Sequence, residues 1–172
     1  KHPGRVLSLT AISTSPIGVD SSSLPESGEA WLEHMAMDVD WSDRSKAVAY
    51  LVEDARLVAG TAYKFDEAGT RAFVEKDFDR SGGYSSAANH SVLFKIGKAW
   101  QGRLHEIKPP VLVIYGTADP VFPEHGAVLA ETAKGARLVK LEGGGHELHP
   151  GHWDRIVAAI AEHTDSKRAV VQ

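Results

Sequence analysis

"PPVLVIYGTADPVFP", residues Pro109 to Pro123, opens with a proline pair, continues as an unbroken apolar run and closes with an Asp-Pro step before a second proline. A run that is apolar at every position, not at alternate ones, marks a strand buried on both faces, as in a parallel sheet covered by helices. Pro123 suits the first position of a helix, with Glu124 in its first turn. The stretch therefore predicts a strand, a loop and a helix, with Asp119 just past the strand's carboxyl end.

Working outward, "ARLVKLEG" repeats the pattern as a second strand ending in glycines, and Trp153, Ile156, Val157, Ile160 and Ala161 mark an amphipathic helix after it. Upstream, "RVLSLTAIS", Arg5 to Ser13, is short, apolar and bounded by Pro3-Gly4 and "TSPIG", which suits a further buried strand. Between these lies a segment of different character. Val48, Leu51, Val52, Ala55 and Val58 follow the i, i+3, i+4, i+7 spacing of a helix, and Trp31, Leu32, Met35 and Ala36 make a shorter stripe. "FDEAGTRAFVEKDFDRSGG" reads as another helix closed by Gly82 and Gly83. The expected division is residues 1–24 as core strand and exit loop, 25–100 as a helical insertion, and 101–172 as the carboxyl-terminal core. The tail "DSKRAVVQ" shows no period. Strand, helix, strand, helix at this spacing is an α/β arrangement with a parallel sheet.

In such sheets ligands sit at the carboxyl ends of the strands. Asp119 follows one strand, and His146, in "LEGGGHELHP" from Leu141 to Pro150, follows the next. Taken singly, Asp119 reads as an Asp-Pro turn and His146 as a loop histidine beside glycines. As a pair on adjacent strands they have a specific chemistry. The carboxylate accepts the Nδ1 proton of the imidazole, fixes its tautomer and stabilises the imidazolium when Nε2 takes a proton from a nucleophile.

"PPVLVIYGTADPVFP" and "LVKLEGGGHELHPGHWDRIVAAI" resemble the acid loop and histidine loop of the α/β-hydrolases. "HPGRVLSLTAIST" is similar to the strand that follows that family's nucleophile helix, and the helical insertion falls where the family places its cap. Within the family the chain looks most like the small esterases and lipases of the aclacinomycin methylesterase type. The resemblance implies a partial α/β-hydrolase fold: the last three parallel strands with flanking helices and an inserted cap. It implies Asp119 and His146 as catalytic acid and base, acyl transfer from an ester, and no cofactor. The family's nucleophile sits in a G-x-S-x-G turn before the acid in chain order, and no such motif occurs here. Ser27, in "SSSLPESGEA", lacks the preceding strand and the second glycine. The resemblance thus leads us to expect the nucleophile in an amino-terminal portion of the same hydrolase, which would be this chain's partner. An aspartate nucleophile, as in haloalkane and epoxide hydrolases, and a non-catalytic hydrolase-like receptor for a small molecule are the alternatives.

Other candidates concern binding. Val121 shares the strand-end edge with Asp119, and Trp31, Met35, Met37, Phe94 and Trp100 are candidates to line an apolar pocket for a small ester-like substrate; each also suits ordinary packing. "HELHPGH" invites a metal reading, but Pro150-Gly151 breaks the helix that would align its histidines, and the H-E-x-x-H spacing is absent. His149 and His152 are expected as surface groups. "EGGGHE" lacks the Lys-Ser/Thr ending of a phosphate loop. With 19 Lys and Arg scattered against 23 Asp and Glu, no basic face argues for nucleic acid and no polybasic stretch for a membrane surface. The absence of cysteine excludes disulfides and thiolate sites. No apolar run approaches the roughly 18 residues of a membrane span. A cytoplasmic protein is expected.

Overall fold

The computed structural model describes residues 3–84 and 102–168. Its core is a three-stranded parallel sheet of β1 (Leu9–Ile12), β2 (Val111–Gly116) and β3 (Arg137–Leu141), in that order. The register sets Leu9 beside Val111 and Gly116 beside Leu141, so β2 and β3 end level with each other. Three helices, α1 (Glu29–Met35), α2 (Arg44–Val58) and α3 (Glu67–Ser81), lie between β1 and β2 in the chain. Two more, α4 (His125–Thr132) and α5 (Trp153–Arg168), follow β2 and β3.

The unbroken apolar run becomes the central strand, and every one of its residues is buried. Alternate side chains face opposite layers, as strand geometry requires. Leu112 and Ile114 pack with Val139, Leu141, Ile156 and Ala159 on the α5 side. Val111 and Val113 pack with Leu129 and Ala133 on the α4 side. Burying side chains of this size stabilises the fold by about 1.5–3 kcal/mol each before entropy is counted. The helical segment has a separate small core of Val48, Val52 and Val74, with Leu51 and Phe78 against it. Asp43 and Asp66 cap α2 and α3 by accepting the main-chain N–H groups of Lys46 and Gly69, and Gly82 closes α3 as expected.

Three expectations change. β1 is shorter than Arg5–Ser13: Pro3–Arg5 form a single 3₁₀ turn, and pairing starts only where β2 begins. Among the described residues β1 pairs on one side only, and Val6, Leu7 and Leu9 are exposed around it. Pro123 does not start a helix; α4 begins at His125, after Glu124 in the left-handed region at φ 55°. The carboxylate of Asp119 binds the N–H groups of Val121 and Phe122, which holds this stretch as a turn. Finally, α5 runs on through Arg168, past the point where the sequence loses its period. Phe94 and Trp100 lie outside the described residues.

Candidate active site

The ends of β2 and β3 are joined by two interlocking loops. Thr117 N–H donates to Leu141 O at 3.0 Å and Ala118 N–H to Gly144 O at 2.9 Å, while Gly143 N–H returns to Thr117 Oγ1 at 2.8 Å. Gly143, at φ 65°, makes the turn that this lacing needs. The main-chain N–H of His146 donates to Val58 O, the last residue of α2, at 2.9 Å. Gly145 permits the approach, since a Cβ there would stand 2.2 Å from that same carbonyl.

This framework brings the two predicted residues together. His146 Nδ1 lies 2.9 Å from Asp119 Oδ2. The other oxygen, Oδ1, accepts from Val121 N–H at 2.8 Å and Phe122 N–H at 3.0 Å. The Asp119 side chain is fully buried, and burial opposes its ionisation. The hydrogen bond from His146, the Phe122 and Val121 N–H groups and the imidazole charge outweigh that burial and hold the carboxyl below its ordinary value. The imidazole is 31% exposed, with its ring edge-on to Phe122. Nδ1 is engaged by Asp119, and Nε2 makes no hydrogen bond among the described residues. Such a group accepts a proton at Nε2 while the buried anion stabilises the resulting cation.

The other named residues divide around this pair. Val121 is buried, with its N–H on Asp119 and its carbonyl accepting from Ser27 Oγ at 2.7 Å. Ser27 therefore ties the start of the helical segment to the acid loop, as does Gly28 N–H on Pro120 O at 2.7 Å. Trp31 is half-buried on α1, whereas Met35 and Met37 are exposed. His149 stacks on Tyr63 and caps a 3₁₀ turn through Gly151 N–H. His152 is buried and not, as expected, at the surface, because Tyr63 covers it edge-on.

Two groups had no signal in the sequence. Asp54 on α2 lies one helical turn before Val58, and its charge interacts with that of His146. Burial raises its carboxyl above the ordinary value, against the opposing pull of His34, His146 and the Trp31 indole. His34 on α1 is buried, stacks on Tyr50 at 4.0 Å, and points Nε2 at Asp54 Oδ1 from 3.8 Å.

Known structures share this fold. Over 95% of this chain, a 2-hydroxy-6-oxo-6-phenylhexa-2,4-dienoate hydrolase from a Rhodococcus species superposes with a TM-score of 0.68 at 19% identity, using 57% of its own length. The fold is that of the α/β-hydrolases, in part. A bacterial membrane phospholipase A gives a TM-score of 0.67 at 16% identity, over 98% of this chain and 52% of its own. In sequence, the chain is similar to rhodomycin D methylesterase of Streptomyces peucetius, at 26% identity over 94% of the chain and 60% of the relative. The corresponding enzyme of Streptomyces sp. strain C5 is 31% identical over 66% of the chain and 38% of its own length. The chain thus spans about 60% or less of the relatives it matches. No protein-family model matches it. No helix among the described residues is long and apolar enough to cross a membrane.

Proposed function

We propose that this chain is part of a serine esterase that cleaves a small, largely apolar ester through an acyl-enzyme. The observation that carries the proposal is the 2.9 Å contact between His146 Nδ1 and a buried, doubly main-chain-bonded Asp119. A surface ion pair needs none of that support, whereas a base that must charge and discharge each turnover does. The similarity to two methylesterases and the hydrolase fold support ester cleavage.

In this mechanism His146 Nε2 takes the proton of a serine hydroxyl as its oxygen bonds to the ester carbonyl carbon. The same proton then passes to the departing alkoxide as the carbon–oxygen ester bond breaks. Water repeats the sequence and releases the acid, with the serine regaining its proton through His146. The serine and the oxyanion donors would come from an amino-terminal portion of the same hydrolase, which would also pair with the free edge of β1.

The test uses the complete hydrolase. It should turn over p-nitrophenyl esters and react with a fluorophosphonate, and His146→Ala should lower kcat by about 10³-fold or more in protein that circular dichroism shows to be folded. Ester hydrolysis that survives His146→Ala would overturn the mechanism. Hydrolysis of haloalkanes or epoxides without fluorophosphonate labelling would assign an aspartate nucleophile, and ligand binding without turnover a receptor.

A further inference from the structure

Glu147 follows the base in the chain and has no part in the proton relay, yet its side chain turns inward. Its Oε1 accepts from the main-chain N–H of Gly60 at 3.2 Å. Its Oε2 is buried without a hydrogen-bond partner among the described residues, and a Cβ on Gly145 would stand 2.2 Å from it. A glutamate kept for solubility would put both oxygens in water, because a buried carboxylate oxygen left unpaired is costly. Gly60 lies two residues past Val58, whose carbonyl accepts from the His146 N–H at 2.9 Å. Two consecutive residues of the histidine loop thus grip one short turn, His146 as donor to its first carbonyl and Glu147 as acceptor from its last N–H. The turn fits closely on its other side as well. Thr61 and Ala62 N–H both donate to Gly143 O, at 2.7 and 2.9 Å, and a Cβ on Gly60 would stand 2.2 Å from that oxygen.

We propose that Glu147 is a positioning residue for the base, gripping the turn after α2 so that the His146 ring stays in line with Asp119. Sheet support for the loop ends at Gly144, whose carbonyl accepts from Ala118 N–H. Beyond it, among the described residues, the main chain of His146 is fixed by its one bond to Val58, about which it could pivot. A second bond from the adjacent side chain removes that freedom. A pivot of about 1 Å at the ring is enough to matter, since misplacement on that scale lowers rates by as much as about 10²-fold. The carboxylate suits the task because a charged acceptor makes the stronger hydrogen bond. Its length suits it too, since an aspartate, one carbon shorter, would stop short of Gly60.

This inference rests on the esterase reading, and the experiment keeps the two apart. In the complete hydrolase, Glu147→Gln keeps an oxygen for Gly60 N–H but loses the charge, whereas Glu147→Asp keeps the charge and loses the reach. Steady-state kinetics on p-nitrophenyl esters should show kcat lowered about tenfold or more in Glu147→Asp, with KM within about threefold of the parent. Glu147→Gln should stay within about threefold of the parent in both constants. The substrate-free protein gives a second readout. The low-field proton resonance of His146 Nδ1–H, held by Asp119, should be kept in Glu147→Gln and broadened or lost in Glu147→Asp. No loss of kcat in Glu147→Asp, equal losses in the two variants, a loss confined to Glu147→Gln or an undisturbed resonance in Glu147→Asp overturns the positioning role while leaving the esterase intact. A parent that hydrolyses no ester overturns the esterase reading, and the resonance then still decides for or against the grip.

Discussion

Both oxygens of Asp119 are engaged, one by the imidazole and one by two main-chain N–H groups, so the residue forms the turn and holds the His146 ring at once. Its place in the turn therefore does not stand against the orienting role proposed for it. Asp119→Asn keeps an oxygen for Val121 and Phe122 but presents no charge to His146. It is expected to lower kcat by about 10⁴-fold in the complete hydrolase, read by steady-state kinetics. Its effect on stability has a defined sign. Because the folded carboxyl titrates below the unfolded one, its contribution is present above the ordinary carboxylate range and is lost as pH falls through the folded value. The gap in melting temperature between parent and Asp119→Asn should accordingly shrink between pH 7 and pH 3. A gap that widens on acidification would contradict the assignment. Asp119 and His146 were legible because each follows a strand end. Asp54 and His34 were not, because an acid in "LVEDARL" and a histidine in "WLEHM" look like helix-surface residues until α1 and α2 are docked.

Among the elements, the unbroken run at β2 and the spacing of α2 were readable because burial on one or both faces imposes the period, whereas in α5 only Ile156 and Ile160 of the expected stripe meet the core and Trp153 and Val157 are exposed. The start of α4 was not readable, because local hydrogen bonding by Asp119 overrode the preference of Pro123 for a helix start. Nor did the glycine run in the histidine loop reveal its purpose. Gly145 is where that loop meets α2, and a side chain there would collide with the carbonyl of Val58 and the N–H of Gly60, 2.2 and 2.4 Å away. Neither is a flexible side-chain end that can swing aside. Gly145→Ala should therefore cost about 1–3 kcal/mol in urea unfolding and lower kcat by about 10²-fold through displacement of His146. Full activity in that variant would mean the loop does not depend on this approach.

At the scale of the whole molecule, the sheet has a well-covered centre and one bare flank, with β1 paired on a single side among the described residues and Val6, Leu7 and Leu9 exposed around it. Such an edge recruits other strands. Produced alone, this 172-residue chain should self-associate and bind a hydrophobic dye, and coexpression with the amino-terminal portion proposed above should abolish both. Sedimentation velocity reads the outcome; a monodisperse 18.6 kDa species silent to the dye would refute it. The arrangement of three parallel strands was legible from the alternation of apolar runs and helical spacing. The docking of α1–α3 over the strand ends was not, since it depends on main-chain bonds such as Gly28 to Pro120 and His146 to Val58, which leave no trace in residue type. That last bond ties the backbone of His146 to the carboxyl end of α2. Under the proposed mechanism, any displacement of that helix end relative to the sheet also carries the imidazole away from Asp119, so proton transfer requires the helical segment to be seated.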